Sequence, residues 1–299
     1  MAPFTETRLA QSSTSKVSFR AIEAADLPAI MDLLQAGFPK RNRRYWEMGL
    51  SRLARHVPPD GFPQFGFMLR TRDRPVGMHL MISSIMPGQL DGTVRSNGSC
   101  WYVEEAFRSY GVVLLMRATR RQPAVYINID PRPATLPIIE AQGFRKFSQG
   151  VFAALPLFAR VRTPPMRLLS HDAGWKTAGI PAADLRLLRD HAAFGCLALW
   201  CETATGGQPL IVRRRLVKPG VPAAQLIYCQ SLEDLEAIAS PVGRFLAAHG
   251  MPMLLVAADC PLRGVPGRFF AEKFAMYAKG AKTPRIGDLS YTEAAVFGL

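Results

Sequence analysis

The alternation of apolar and polar positions predicts short strands and helices throughout the chain. In the first half it predicts strands at 17–22, 65–71, 76–86, 93–103, 124–129 and 144–153, and helices at 24–38, 45–56, 108–121 and 134–141. Three antiparallel strands therefore precede a β-α-β crossover. This order predicts an α/β domain with a mixed, mostly antiparallel sheet and flanking helices.

The second half repeats part of this order. Beyond a basic, proline-rich passage, it predicts helices at 182–191, 232–249 and 269–277, and strands at 195–202, 210–217, 225–229, 253–257 and 291–297. Two copies of one fold in tandem explain this repetition; one large sheet with unrelated halves is the alternative. The predicted organisation is a flexible tail at 1–16, a first domain at 17–160, a linker at 161–180 and a second domain at 181–299.

Composition narrows the class of protein. The 299 residues are 48% hydrophobic and 20% charged, as in ordinary globular proteins. No apolar run approaches the roughly 20 residues that cross a bilayer, and residues 1–16 lack the apolar segment of a secretory signal. The five cysteines form no C-x-x-C pair and the histidines have no ligand spacing. We therefore expect a cytoplasmic protein with reduced thiols and no metal site.

The net charge of +14 indicates phosphate-bearing partners. Nucleotide cofactors, nucleic acid and an anionic membrane surface all fit this charge, which does not choose among them. The segment Lys40–Tyr45 is a candidate nucleic-acid contact or a solvated helix start. Arg213, Arg214 and Arg215 lie in a strand pattern, so alternate members share a face. They either bind an anionic acceptor or protect an edge strand.

The segment from Cys100 to Leu115 carries the most specific chemistry. A strand ends there, Arg108 and Gly111 follow three residues apart, and an apolar helix begins. Amides in the first turn of a helix lack partners within the helix and attract anions, and glycine allows close approach of the backbone. These features suit a pyrophosphate. An ordinary connection with a solvated arginine is the alternative.

This segment resembles the acyl-CoA-binding motif of the GNAT acyltransferase superfamily. In that motif a strand ending in valine leads into Arg/Gln-x-x-Gly-x-Gly/Ala at a helix start. Val103 matches the strand valine, and Arg108 and Gly111 match the first and fourth motif positions. Val113 stands where Gly or Ala is usual, which leaves a bulkier side chain near the phosphates. The resemblance covers about residues 17–153 and agrees with the predicted order of elements.

A second stretch resembles the same family downstream. Tyr126–Asn128 ends a strand, and Gly143-Phe144 matches the end of the family's Tyr-Glu-Lys-Leu-Gly-Phe sequence. Ile139 occupies the position where the family often has a tyrosine that protonates the departing thiolate. The usual general acid is therefore missing, unless Tyr102 or another hydroxyl such as that of Tyr126 replaces it.

The resemblance implies a donor site for acetyl-CoA or another acyl-CoA. Backbone amides of Ser109 to Val113 would hold the pyrophosphate, and main-chain groups of Trp101 to Val103 would line the pantetheine arm. The implied donor-binding residues are Trp101, Tyr102, Val103, Arg108, Ser109, Tyr110, Gly111, Val112, Val113 and Asn128.

Acyl transfer to an amine also needs a base, which in this family is commonly a carboxylate near the end of the same strand. Glu104 is the first candidate by location and Glu105 the second, although both also fit a solvated acidic pair beside Arg108. Asn97 and Ser99, on the same strand, are candidates for positioning a water molecule.

The second half lacks the pyrophosphate motif. Ser231 and Asp234 fit a capping box at a plain helix start instead. A second copy of the fold would then shape the acceptor pocket or the interface between the halves. Tyr291 and Glu293 are candidates to face that cleft, and a strand facing solvent explains them equally well.

The function expected from these residues is acyl transfer from acyl-CoA to an amine of an unidentified small molecule or peptide. Two alternatives remain at this point. One is a GNAT-like binding protein without catalytic activity. The other is an aminoacyl-tRNA-dependent transferase of the Fem type, which the net charge of +14 would suit.

Overall fold

The structure is a computed structural model that describes residues 16–88, 91–161, 165–170, 175, 179–203 and 206–298. The predicted tail therefore lies, except for Lys16, outside the described residues. The strands are β1 (Ser18–Ala21), β2 (Gly66–Arg70), β3 (Pro75–Ile85), β4 (Val94–Val103), β5 (Val125–Ile129), β6 (Arg145–Ala154), β7 (Met166–Ser170), β8 (Leu197–Thr203), β9 (Gly206–Lys218), β10 (Val221–Tyr228), β11 (Leu254–Ala258) and β12 (Gly267–Lys279).

The helices flank these strands. They are α1 (Leu27–Gly37), α2 (Arg43–Arg55), α3 (Gly111–Ala118), α4 (Leu136–Ala141), α5 (Ala182–Ala193), α6 (Leu232–Ala237), α7 (Ala239–Ala248) and α8 (Glu293–Val296). Short 3-10 helices occupy Ala24–Asp26, Glu105–Tyr110, Pro133–Thr135 and Pro156–Phe158. None of the described helices is long and apolar enough to span a membrane.

All twelve of these strands belong to one sheet, in the order β1-β2-β3-β4-β5-β12-β6-β11-β10-β9-β8-β7. Neighbouring strands are antiparallel except for β4 with β5 and β10 with β11, which are parallel. The predicted mixed, mostly antiparallel sheet with flanking helices is confirmed. The two parallel pairs occupy equivalent places in the two halves, as a repeated fold requires.

The two halves of the sheet exchange their last strands. β12 comes from the second half but lies between β5 and β6, and it is antiparallel to both. β6 in turn pairs with β11 of the second half. Each half therefore completes its own set of strands with one strand from the other. The predicted linker at 161–180 contains β7, and the domain limits at 160 and 181 stay a prediction.

Two secondary-structure predictions in the second half were wrong. Residues 269–277 form part of β12 and not a helix. Against β6 the strand shifts register between Ala271 and Met276, and Glu272 and Phe274 have positive φ angles, so the simple alternation of a strand is broken there. Residues 291–297 contain the helix α8 and not a strand. All four residues of α8 are buried, which removes the polar face that marks a surface helix.

Three alternate residues of β4 hold the segment that leads into α8. Arg95 is 1% exposed and forms an ion pair with buried Asp288, with Nη1 3.1 Å from Oδ2. Asn97 Oδ1 accepts a hydrogen bond of 2.8 Å from the backbone N–H of Glu293, and the hydroxyl of Ser99 binds the Glu293 side chain. Because residues two apart in a strand point to the same face, these three side chains contact the segment from one face of β4.

The other end of α8 is held by arginines and by aromatic packing. The guanidinium of Arg52 donates to the Val296 carbonyl at 3.0 Å, and that of Arg213 donates to the Ala295 carbonyl. A Cβ built on Gly49 would lie only 2.0 Å from the nearest atom of the Phe297 ring, Cδ1. Glycine at position 49 therefore allows α2 to approach the C-terminal segment closely.

Candidate active site

A gap opens between β4 and β5 because their pairing stops early. The register runs from Arg95–Val125 to Asn97–Ile127 and no further. Beyond this point β4 pairs only with β3, and β5 only with β12. The main-chain groups on the β5 side of residues 98–103 therefore have no partner strand.

A β-bulge lies at the start of this gap. In the pairing of β4 with β3, Ser99 faces Leu80 and Trp101 faces His79, so Cys100 is the extra residue. Its φ angle of 46° lies in the left-handed region. A bulge of this kind bends a strand and ends its pairing, and such bulges are frequent beside active sites.

A cavity of about 680 Å³ extends from this gap to the second half of the sheet. Its wall from the first half includes the end of α1, the bulge in β4 and the residues after β5. Its wall from the second half includes parts of β9, β10, β11, β12 and α8. The charged and polar residues that line it are Lys40, Arg41, His79, Ser99, Cys100, Asn128, Asp130, Arg132, Thr135, Arg215, Gln225 and Glu293.

Nitrogen atoms of lining residues have no hydrogen-bond partner among the described residues. They are Nδ1 of His79 and the indole nitrogens of Trp46 and Trp101. Burial lowers the pKa of His79 to about 4, so its ring is neutral at physiological pH. Buried polar groups normally have partners, so these three nitrogens are exceptions in the wall of the cavity.

Glu293 is the carboxylate most deeply placed in this cavity. Its Oε2 accepts a hydrogen bond of 2.6 Å from the hydroxyl of Ser99, and the residue is 8% exposed. Burial raises the pKa of its carboxyl to about 8; the Ser99 hydroxyl opposes this shift, and the charge of Asp130 adds to it. A carboxyl with a pKa near 8 is partly ionised at physiological pH, and the ionised fraction can take up a proton, as a general base must.

The structure places the predicted base Glu104 outside this cavity. The Glu104 carboxylate is paired with Arg74, whose Nη2 donates a hydrogen bond of 2.7 Å to Oε2. This ion pair fixes the side chain near the end of β4, and the residue does not line the cavity. Glu105 is exposed and lies 3.8 Å from Arg108. The sequence analysis chose Glu104 as the first candidate for the base and named Glu293 only as a candidate to face the cleft between the halves; it is Glu293 that lines the cavity.

The predicted donor-binding residues fall into two groups. Trp101 and Asn128 lie on opposite sides of the gap and both line the cavity. The ring of Tyr102 packs on the end of α1. A Cβ built on Gly37 would lie 2.5 Å from Cγ of Tyr102. Val103 packs against the side of α3. Trp101, Tyr102 and Val103 therefore belong to the β4 wall of the gap, and Asn128 belongs to the β5 wall.

The second group is the predicted pyrophosphate segment, which is more regular than expected. Residues Glu105–Tyr110 form a 3-10 helix that continues into α3, and the Gly111 amide donates to the Arg108 carbonyl. The Gly111 amide is therefore already occupied, which differs from the expected set of free amides from Ser109 to Val113. The side chain of Arg108 is 72% exposed. Tyr110, Val112 and Val113 are exposed as well.

The candidate general acids are not in the cavity. Ile139 is fully buried in an apolar cluster, as its place in the motif suggests. The hydroxyl of Tyr126 donates to the Arg121 carbonyl at 3.1 Å, on the side of the sheet that carries α3 and α4. Neither Tyr102 nor Tyr126 lines the cavity. No described tyrosine is placed there as a proton donor.

The second half contributes a wall of this cavity. β10 and β11 also pair only briefly, through Ala224–Leu254 and Gln225–Leu255, and their ends line the same cavity. The helix that follows β10 is capped by Ser231, whose Oγ accepts from the Asp234 amide at 2.9 Å. With Glu233 and Asp234 in its first turn, this helix end is unfavourable for phosphate.

No family model and no curated protein sequence matches this chain. Solved structures do match its fold. A GCN5-related N-acetyltransferase from Anabaena variabilis is similar over 88% of this chain and 72% of its own, with a TM-score of 0.57 and 8% identity. A GCN5-related N-acetyltransferase from Kribbella flavida is similar over 88% and 70%, with a TM-score of 0.52 and 13% identity.

A Pyrococcus horikoshii protein assigned as an acetyltransferase is similar over 97% of both chains, with a TM-score of 0.53 and 14% identity. The fold of this chain is therefore that of the GNAT superfamily, along almost its whole length. This confirms the fold that the resemblance implied. At these identities the comparison establishes the fold and leaves the activity to be argued from the site.

Proposed function

We propose that the protein transfers an acyl group from acyl-CoA to an amine. The observation that carries this proposal is the unpaired gap between β4 and β5, which opens into a cavity that contains Glu293. In such a gap an extended thioester donor reaches the cavity along the free edge of a strand. The fold alone would not support an activity, but the fold together with this site does.

The donor would lie along β4. Unpaired main-chain groups of Trp101 to Val103 suit the amides of the pantetheine arm, which can extend the strand as a partner would. Asn128 approaches from the other side of the gap. We place the pyrophosphate near Ser109 to Val113, with Arg108 as a charged donor. In the free protein the Gly111 amide is bonded to the Arg108 carbonyl.

Glu293 would act as the general base in place of Glu104. The amine nitrogen attacks the thioester carbonyl carbon, a C–N bond forms and the C–S bond breaks. The proton lost by the nitrogen goes to the Glu293 carboxylate, which the Ser99 hydroxyl holds at 2.6 Å. The departing thiolate takes its proton from solvent, since no described tyrosine lies in the cavity.

Binding of the donor tests the proposal directly. Calorimetric titration with acetyl-CoA and with a long-chain acyl-CoA should give saturable binding of at least one donor. Gly111→Trp should abolish it, because a side chain at this position points at Trp101, whose Cζ2 would lie 3.4 Å from the new Cβ. Met116→Trp on the exposed side of α3 is the matched control. If the folded wild type binds neither donor, the proposal fails and RNA becomes the next ligand to test.

A binding protein without turnover is the second candidate function. It is favoured by the buried Ile139 and by the Tyr126 hydroxyl, which is engaged with a backbone carbonyl. Release of free thiol from acetyl-CoA in the presence of mixed amines separates the two candidates, because only the enzyme produces it. The five free cysteines support a reducing compartment such as the cytoplasm for either one.

A further inference from the structure

Cationic side chains from both halves of the protein line the cavity that contains Glu293. Lys40 and Arg41 follow α1, Arg132 follows β5, and Arg215 projects from β9. The acidic residues that line the cavity are Asp130 and Glu293. Four cations thus face at most two carboxylates, one of which has a pKa raised to about 8 by burial. The cavity has a positive potential that an anionic ligand would balance.

The arginines are positioned by aromatic rings and not by carboxylates. The guanidinium of Arg41 lies 4.7 Å from the ring centre of Tyr45, that of Arg132 lies 5.0 Å from Phe38, and that of Arg215 lies 4.5 Å from Phe274. Among the described residues, none of these guanidinium groups has a carboxylate oxygen within ion-pair distance. Stacking uses the flat face of a guanidinium and leaves its N–H edge for polar partners. The Nη1 of Arg215 donates one hydrogen bond of 3.1 Å to Oε1 of Gln225, which also lines the cavity. Its remaining N–H groups are left for a carboxylate or phosphate, as are those of Arg41 and Arg132.

These charges line one cavity, beside the bulge in β4. Arg41, Arg132, Arg215, Cys100 and Glu293 all belong to its lining. Burial raises the pKa of the Cys100 thiol, the charge of Glu293 raises it further, and Arg132 and Arg41 oppose the rise. Burial lowers the pKa of Arg215, the charge of Arg41 lowers it further, and Asp130 opposes this shift. The directions of these shifts agree with cations grouped around the proposed base.

We propose that the acceptor is an amine that carries an anionic group, a carboxylate or a phosphate, which Arg41, Arg132 and Arg215 bind. The amine would then face Glu293, and the second half of the protein would select the acceptor through Arg215. This inference rests on the proposed acyl transfer. A volume of about 680 Å³ is sufficient for a small acceptor beside the acyl end of the donor.

Product analogues test this proposal without turnover. The probes are matched pairs of N-acetyl amino acids and their amides, and N-acetylphosphoethanolamine against N-acetylethanolamine. Each is titrated calorimetrically into the free protein at pH 7. The anionic member of at least one pair should bind about tenfold tighter than its neutral partner or better, because charge-assisted hydrogen bonds are about twice as strong as neutral ones. Preference among the pairs distinguishes a carboxylate from a phosphate.

Variants assign the preference to the cavity. Arg215→Gln and Arg132→Gln should each reduce the preference for the anionic probe about tenfold, whereas Arg214→Gln should leave it unchanged. Arg214 is the matched control because it is the next residue of the same strand, is exposed, and does not line the cavity. Thermal unfolding verifies that each variant is folded.

Three results would overturn the inference. Equal binding of the anionic and neutral probes is one, and absence of binding by every anionic probe at 50 mM or below is the second. The third is a pair of observations: Arg132→Gln and Arg215→Gln bind acetyl-CoA more weakly than the wild type, and CoA displaces the anionic probes from the wild type. The cations would then bind the donor and not the acceptor. Failure of the wild type to bind acetyl-CoA while anionic probes still bind would count against acyl transfer alone.

Discussion

The hydroxyl of Ser99 donates a hydrogen bond of 2.6 Å to the carboxylate of Glu293, across 194 positions of the chain. Ser99 lies on β4 beside the bulge, and Glu293 is the first residue of α8. This contact joins the strand that would hold the donor to the carboxylate that would deprotonate the acceptor. The two halves of the protein therefore meet at the proposed reaction centre.

Glu293→Gln should reduce acyl transfer by about 100-fold or more, because loss of a general base typically costs 10²–10⁴-fold in rate. Initial rates of thiol release from acetyl-CoA measure this loss. Glu104→Gln is the comparison, and its rate should stay within about threefold of the wild type, since its partner Arg74 lies outside the cavity. The opposite ranking of the two variants would return the role of base to Glu104.

Ser99→Ala should move the rise of activity with pH to a higher pH. The pKa of Glu293 is raised by burial, and the hydrogen bond from Ser99 lowers it, so its removal leaves the pKa further above its ordinary value. The wild-type profile should rise through about pH 8. Ser96→Ala is the control, because its hydroxyl faces Ser83 on the other side of β4 at 2.8 Å. Identical profiles for both variants would contradict the assignment.

The stability of the protein should depend on pH through Glu293. Burial raises the pKa of this carboxyl from an ordinary value of 4.5 to about 8 in the folded state. Its contribution to stability is therefore complete below about pH 4.5 and is lost as the pH rises through 8. Glu293→Gln removes this dependence. The difference in melting temperature, variant minus wild type, should increase between pH 5 and pH 9; a constant difference would exclude the buried titration.

Arg95→Met should lower the free energy of unfolding by about 3–5 kcal/mol, because it leaves the carboxylate of Asp288 buried without its partner. Burial alone would raise the pKa of Asp288, but the charge of Arg95 and the Ser290 hydroxyl outweigh it, and the pKa is lowered. Urea unfolding at pH 7 measures the change. The double variant with Asp288→Leu should recover part of the loss, and no recovery would indicate that packing and not charge dominates.

The first half of the fold was predictable because its signals are local. The hairpin of β2 and β3, the helices α1 and α2, and the strand before the motif all follow from residues close in sequence. Val103, Arg108 and Gly111 pointed to the correct superfamily fold. Amphipathic patterns and turn residues are sufficient for elements of this kind.

The sequence indicated Glu293 only as a candidate to face the cleft and not as the base, because its position depends on distant residues. Glu293 begins a helix whose four residues are all buried, and Asn97 accepts its backbone N–H from 196 positions away. The strand β12 was predicted as a helix for a similar reason. Its irregular stretch at Glu272–Phe274 breaks the alternation, and its partners in β5 and β6 lie more than 110 residues earlier. One signal was present: Arg95, Asn97 and Ser99 are polar residues at alternate positions of β4, and therefore share one face of the strand.

The exchange of β6 and β12 also determines the stage of synthesis at which the sheet and the proposed site can be completed. Residues 17–160 leave the ribosome with β5 lacking the neighbour that it has in the finished sheet, because β12 is made more than 130 residues later. An unpaired strand edge can form hydrogen bonds with strands of other chains until its own partner strand pairs with it. Glu293 follows β12 in the sequence. In a nascent chain, β4 and β5 are therefore synthesised long before the carboxylate that we propose as the general base.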